Sequence, residues 1–246
     1  MAQATTPHHG GHPPTSLGVN NRKLGLWTFI SSEALFFTAL IASYFVMKPR
    51  NIALGGPHPH DYFNLFLVSG LAFVLLLSSL TMVLALAATE RDDRKMERVW
   101  LGATIALGLI FLGGQVYEFN KMFSEKFVTV TVTKADGEIE RVGVLEHHLA
   151  EEMPKLQKEF PGATFEESAA KPTTWTTSVF GTTFFTLTGF HGTHVGLGVL
   201  WLGIVLVMSL RGAITSKNSL TVEMAGLYWH FVDLVWVAIF TLIYLI

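Results

Sequence analysis

Phe63–Ala88 reads FNLFLVSGLAFVLLLSSLTMVLALAA, twenty-six residues without one ionisable side chain. About 30 Å of hydrocarbon takes roughly 20 helical residues to cross. The run is long enough to cross, and it does not alternate as a barrel strand would, so it reads as a transmembrane helix. Working outward, four more apolar runs follow the same logic: Leu24–Met47, Val99–Phe119, Ser178–Leu210 and Val222–Ile246. The five together take about half of the 246 residues. The fourth, 33 residues long, exceeds a perpendicular crossing, so it tilts strongly or projects into water.

Composition agrees. Half the residues are hydrophobic, 15% are charged, and the mean hydropathy is +0.43; soluble domains carry about 25% charged residues. An ordinary soluble enzyme and a disordered chain are both excluded. Cysteine is absent, which removes disulfides, thiolate metal sites and a cysteine nucleophile. A net charge of -2 gives no reason to expect a nucleic-acid partner. The expected fold is all-α: a polytopic membrane protein with five transmembrane helices in a bundle and a small extramembrane insert between helices 3 and 4. The expected divisions are a His/Pro/Gly-rich disordered tail over 1–20, helices 1–3 over 21–119, the insert over 120–177, and helices 4–5 over 178–246. The tail has no apolar central stretch and is not a signal peptide. Its His8, His9 and His12 have nothing to fix a metal geometry.

Lysine and arginine in short loops set orientation. Placing the N-terminus inside puts Arg22, Lys23, Arg91, Arg94, Lys95, Arg98, Arg211 and Lys217 on the inner side, and Lys48 and Arg50 on the outer. The expectation is N-in, C-out, with the insert outside. Within the insert, Val128–Thr133 alternates with period two, Asp136-Gly137 supplies a turn, and Glu138–Val144 alternates again; this reads as a hairpin. Leu145–Phe160 reads as helix interrupted at Pro154. Ten acids against seven bases make a mildly acidic cap, or a docking surface for a basic partner.

A charge at mid-bilayer costs on the order of 3 kcal/mol or more, so each polar group left in the apolar runs needs a partner. These groups are Glu33 in the first helix, Gln115 and Glu118 in the third, His191 and His194 in the fourth, and Glu223, His230 and Asp233 in the fifth. His191 and His194 share a face at spacing three, and Glu223, Gly226, His230 and Asp233 form one stripe flanked by Trp229 and Trp236. Gly192 and Gly196 make a GxxxG pair, and Gly102, Ala106 and Gly114 line the third helix; such faces let backbones approach closely. The pattern predicts histidines set against carboxylates across helix interfaces. Local sequence leaves Glu33 open between a protonated hydrogen-bonding role and a proton path. No HExxH motif or nucleophile elbow is present, so no catalytic, cofactor-binding or metal-ligating residue is assigned.

Four strings resemble one family. They are Asn21–Trp27 with Ser32-Glu33-Ala34-Leu35-Phe36-Phe37, Gln115-Val116-Tyr117-Glu118-Phe119, Phe184–Val195, and Glu223–Trp236 with its Tyr228-Trp229-His230-Phe231-Val232-Asp233 centre. In this order they resemble subunit III of haem–copper oxidases, in the five-helix bacterial form of cytochrome c oxidase subunit III, over roughly 21–120 and 172–246. The resemblance implies a subunit that carries no haem or copper of its own. It packs against subunit I, which holds those centres, supports proton uptake and sustained turnover, and binds phospholipid. Subunit II and cytochrome c are further implied partners, in a bacterial inner membrane. Glu33, Glu118, His191, His194, Glu223, His230 and Asp233 fall on the family's characteristic polar positions, and Arg211 falls near its lipid-headgroup arginine. The insert departs from the family's usual short loop by about 35–40 residues, beyond ordinary connection lengths.

Three other readings compete. A quinol oxidase subunit III shares the plan. A haem-binding membrane cytochrome would use His191, His194 and His230. A transporter or channel would use the carboxylates, but calls for internal repeats that the sequence does not show.

Overall fold

The computed structural model describes residues 20–56 and 64–245. The expected disordered tail with His8, His9 and His12 lies outside the described residues, apart from Asn20 at its end. Among the described residues five helices are long and apolar enough to cross a membrane.

Helix α1 spans Asn21–Ala53 and starts where the Asn20 side chain accepts from the Arg22 N–H at 2.9 Å. It runs past the predicted end at Met47 and through Pro49. A proline so close to the C-terminus removes one ladder donor and leaves the preceding turns intact. Helix α2 (Leu65–Glu90) is capped by Asn64, and α3 (Arg94–Ser124) by Asp93. Their three-residue link turns on Asp92 at φ +57, a left-handed position that aspartate tolerates. α2 and α3 therefore lie antiparallel and pack along their lengths. Helix α5 covers Val179–Leu210, about 48 Å at 1.5 Å per residue, which exceeds the hydrocarbon thickness as its length predicted. Helix α6 runs Leu220–Ile239 and closes in a π-helical turn, Phe240–Leu245, which carries Ile243 and Tyr244 inward. α6 is the most buried span and α1 the least.

The bundle closes on Trp229 of α6, which is fully buried. Its indole N–H donates to Ser78 Oγ of α2 at 2.9 Å. A Cβ added at Gly108 of α3 would stand 2.7 Å from the indole, and one at Gly198 of α5 would stand 2.9 Å from it. Four helices meet there because two of them carry no side chain at the contact. Sequence patterning singled out other glycines. Gly114 does meet Leu71 of α2, but Gly102 and Gly196 face no atom within 4 Å. Of the Gly192/Gly196 pair only Gly192 meets another helix, Gln115 of α3 standing 3.1 Å from its Cβ position, because α5 turns its Gly198 side to α6 and leaves Gly196 facing outward.

Between α3 and α5 lies the insert. β1 (Lys126–Thr133) pairs antiparallel with β2 (Ile139–Leu145), as the alternation predicted. Two further strands, β3 (Thr164–Glu167) and β4 (Lys171–Pro172), also pair with β1. Helix α4 is Leu149–Glu159 and continues through Pro154, so the predicted interruption is corrected. The fixed proline φ suits a helix, and in the second turn only one ladder bond is lost. Val130, Val132, Val144 and Leu156 form a small core of their own. Lys134 bridges Glu138 and Glu140 at 3.0 Å each and stands 5.3 Å above the Phe160 ring. Glu140 first and Glu138 second hold its ammonium above the ordinary 10.5, at about 12.

The insert is pinned to the bundle. Thr129 Oγ1 donates to the Gly55 carbonyl at 2.9 Å. Gly143 lies so close to the Gly56 carbonyl that a Cβ would collide with it. Asn51, near the end of α1, accepts from the Phe180 N–H at 3.1 Å, which satisfies one of the open donors at the start of α5.

Candidate functional site

The candidate site is a set of polar contacts between helices. Glu33 of α1 meets His194 of α5 at 3.2 Å between Oε2 and Nε2. His194 Nδ1 faces the Phe190 carbonyl at 2.7 Å, so Nδ1 must carry a proton. Nε2 is left to face the Glu33 carboxyl, which gives that carboxyl the partner hydrocarbon demands. Tyr228 of α6 donates to the His194 carbonyl at 3.0 Å, so three helices meet at this point.

At the opposite end of the molecule from the insert, Lys23 and Glu223 close to 2.6 Å and tie the start of α1 to the start of α6. Ser79 Oγ of α2 lies 2.6 Å from His230 Nδ1. Asp233 is buried with Ser79 beside it, and neither of its oxygens has a hydrogen-bond partner among the described residues. The predicted stripe of α6 is thus real, and it faces α2 and the first turn of α1. On α3, Gln115 Nε2 donates to the Thr188 carbonyl at 3.0 Å, and Tyr244 donates to Glu118 at 3.4 Å.

His191 differs from the expected pattern. It meets no carboxylate, and neither ring nitrogen has a hydrogen-bond partner among the described residues. Its ring stacks on Trp236 at 5.1 Å and takes the edge of Phe111 at 5.9 Å. Helical spacing put it on the His194 side of α5, but a three-residue step also turns a side chain by about 60°, enough to swing it into the aromatic interior. Arg211 caps α5 and is exposed. Among the described residues no three His, Asp or Glu side chains gather as a metal-ligating group. The three histidines go to three different neighbours.

Several contributors carried no sequence signal. Ser78, Ser79, Thr81 and Thr104 are hydroxyls in apolar runs, yet Thr81 and Thr104 bond to each other at 2.8 Å across α2 and α3. Glu97 sits among arginines and reads as solvated; it is buried in the first turn of α3, next to Arg98, which donates to the Ser209 carbonyl at 2.9 Å.

Fold and contacts together define a multi-pass helical membrane protein whose polar groups serve helix-to-helix contacts. A family profile described as cytochrome c oxidase subunit III matches residues 4–131 and 155–246. The chain is 32% identical to cytochrome c oxidase subunit 3 of Bacillus sp. (strain PS3), covering 92% of this chain and 86% of that one. It is 32% identical to cytochrome c oxidase subunit 3 of Alkalihalophilus pseudofirmus, over 100% of this chain and 98% of that one. It is also 31% identical to quinol oxidase subunit 3 of Bacillus subtilis, over 90% of this chain and 85% of that one. The chain belongs to the cytochrome c oxidase subunit III family, within the haem–copper oxidase superfamily, and other oxidase subunits are its partners. The profile omits 132–154, which holds the hairpin turn, β2 and the first half of α4.

Proposed function

We propose that this chain is the non-redox-active subunit III of a proton-pumping cytochrome c oxidase in a bacterial inner membrane. It stabilises subunit I and its proton uptake and binds phospholipid, Arg211 being a candidate for the headgroup. Haem and copper belong to the partner subunits, with subunit I the main contact and subunit II beside it. The N-terminus is cytoplasmic, and the C-terminus and insert face outward, where the insert caps the complex or touches subunit II or the cytochrome c donor. The observation that carries the reading is the near-complete coverage by cytochrome c oxidase subunits 3 at 32% identity. Quinol oxidase subunits 3 at 31% identity favour a second reading, in which the same subunit serves a quinol-fed oxidase.

Purification in mild detergent tests both. Subunits I and II with a haem–copper spectrum are expected, with turnover supported by reduced cytochrome c; turnover on quinol alone would select the second reading. A chain that carries stoichiometric haem by itself would overturn both. Glu33→Ala should leave assembly largely intact and speed the loss of activity during turnover, because His194 loses its carboxyl partner. Equal decay in the variant and the parent would remove that role from the carboxylate.

A further inference from the structure

The seam between α3 and α5 opens outward in a groove of about 280 Å³, lined by Leu112, Gln115, Val116, Phe119, Gly192 and Thr193 among others. Gln115 is 5% exposed, and its Nε2 is committed to the Thr188 carbonyl. Its Oε1 has no hydrogen-bond partner among the described residues and lies 3.1 Å from where a Gly192 Cβ would stand. Thr193 spends its proton on the Gly189 carbonyl at 2.9 Å. The floor therefore offers acceptors, and a buried amide oxygen left unpaired costs about 1–3 kcal/mol.

Glycines continue along the α5 wall. Gly196 and Gly203 on α5, and Gly102 and Gly113 on α3, meet no atom within 4 Å of a Cβ position. At 100° per residue, Gly192, Gly196 and Gly203 fall on one stripe beside the seam, whereas Gly102 and Gly113 fall on a different face of α3 from Gln115. No ionisable side chain interrupts the α5 stripe. Gln115 lies nine residues before the end of α3, and Thr188 nine residues after the start of α5. Each is roughly 13 Å in from a helix end, at hydrocarbon depth.

We propose that this groove seats a transmembrane helix of another oxidase subunit, one that brings a single hydrogen-bond donor (a hydroxyl, a carboxamide N–H or an indole N–H) to Gln115 Oε1. Acyl tails reach this depth but carry no donor, whereas a helix supplies one and uses the glycine notches for close approach. The proposal rests on the chain being an oxidase subunit, and it locates one face that the complex uses.

The test uses the assembled complex. Gly196→Leu and Gly203→Leu fill the notches without touching the chain's own packing, and subunit III should fall to less than half its stoichiometry after detergent purification. Gly70→Leu on α2 is the control, since that position also meets nothing within 4 Å, and it should be retained. Because the chain has no cysteine, Thr193→Cys carrying a benzophenone maleimide reports the occupant directly. An adduct with another oxidase subunit is expected. Adducts with lipid alone or with a second copy of this chain would overturn the proposal, as would full retention of Gly196→Leu or equal loss of Gly70→Leu. If the unmodified chain copurifies with no haem–copper subunits, it is the functional reading that fails, a result distinct from these.

Discussion

The bundle around Trp229 and the small core under α4 solve the same packing problem in different solvents. In the insert, Val130, Val132, Val144 and Leu156 leave water, and the hydrophobic effect rewards each directly. In the bundle, lipid is as apolar as leucine, so helices gain little from apolar contact as such; they gain from close approach and from polar contacts. Hence the bundle centre is an indole between two glycines with its N–H on a serine, and the insert centre is plain aliphatic. Bulk holds the insert together, while the bundle depends on missing bulk and paired polar atoms.

Removing the bundle's centre should have the largest effect. Trp229→Ala is expected to cost about 3–5 kcal/mol, read as loss of the folded chain in a graded-detergent unfolding assay. Gly108→Leu should damage the bundle by about 1–3 kcal/mol or more through overpacking against the same indole, although it adds apolar volume; a neutral result would erase the contrast between the two regions. Leu156→Ala should cost about 2 kcal/mol. Its faster hydrogen exchange should stay within 126–167 and leave the helices unchanged, and spread into α5 would show that the regions are one cooperative unit. Asn51→Ala should cost about 1 kcal/mol, as loss of a cap does, and raise exchange at the start of α5. Lys134→Gln should be the smallest change, and one that fades in high salt, since its partners are exposed. Its pH sign is set by a raised pKa: the support is complete below 10.5 and lost as pH climbs through about 12. Hairpin exchange should therefore show that alkaline step in the parent and lack it in the variant.

Much of this architecture was readable from one chain. Long apolar runs located all five spans, because crossing hydrocarbon is a matter of length and polarity. Alternation around Asp136-Gly137 located the hairpin, because a strand repeats every two residues. The helix ends beyond Met47 and through Pro154 were misplaced, since a capped helix continues into water and past a tolerated proline wherever its surroundings hold it. β3 and β4 are too short and too polar to leave a pattern.

The polar inventory was likewise complete for Glu33, Gln115, Glu118, His191, His194, Glu223, His230 and Asp233, because an ionisable or amide side chain in an apolar run is conspicuous. Their partners were not. Lys23, Ser79 and Tyr244 are ordinary where they stand in the sequence, and His191 shares a helix face with His194 yet ends in an aromatic cage. By itself the sequence determined that these helices cross a membrane and which side chains pay to be there. Tertiary structure alone decided who meets whom, because helix rotation, fixed by which glycines admit a neighbour, is a property of two surfaces and is written in neither.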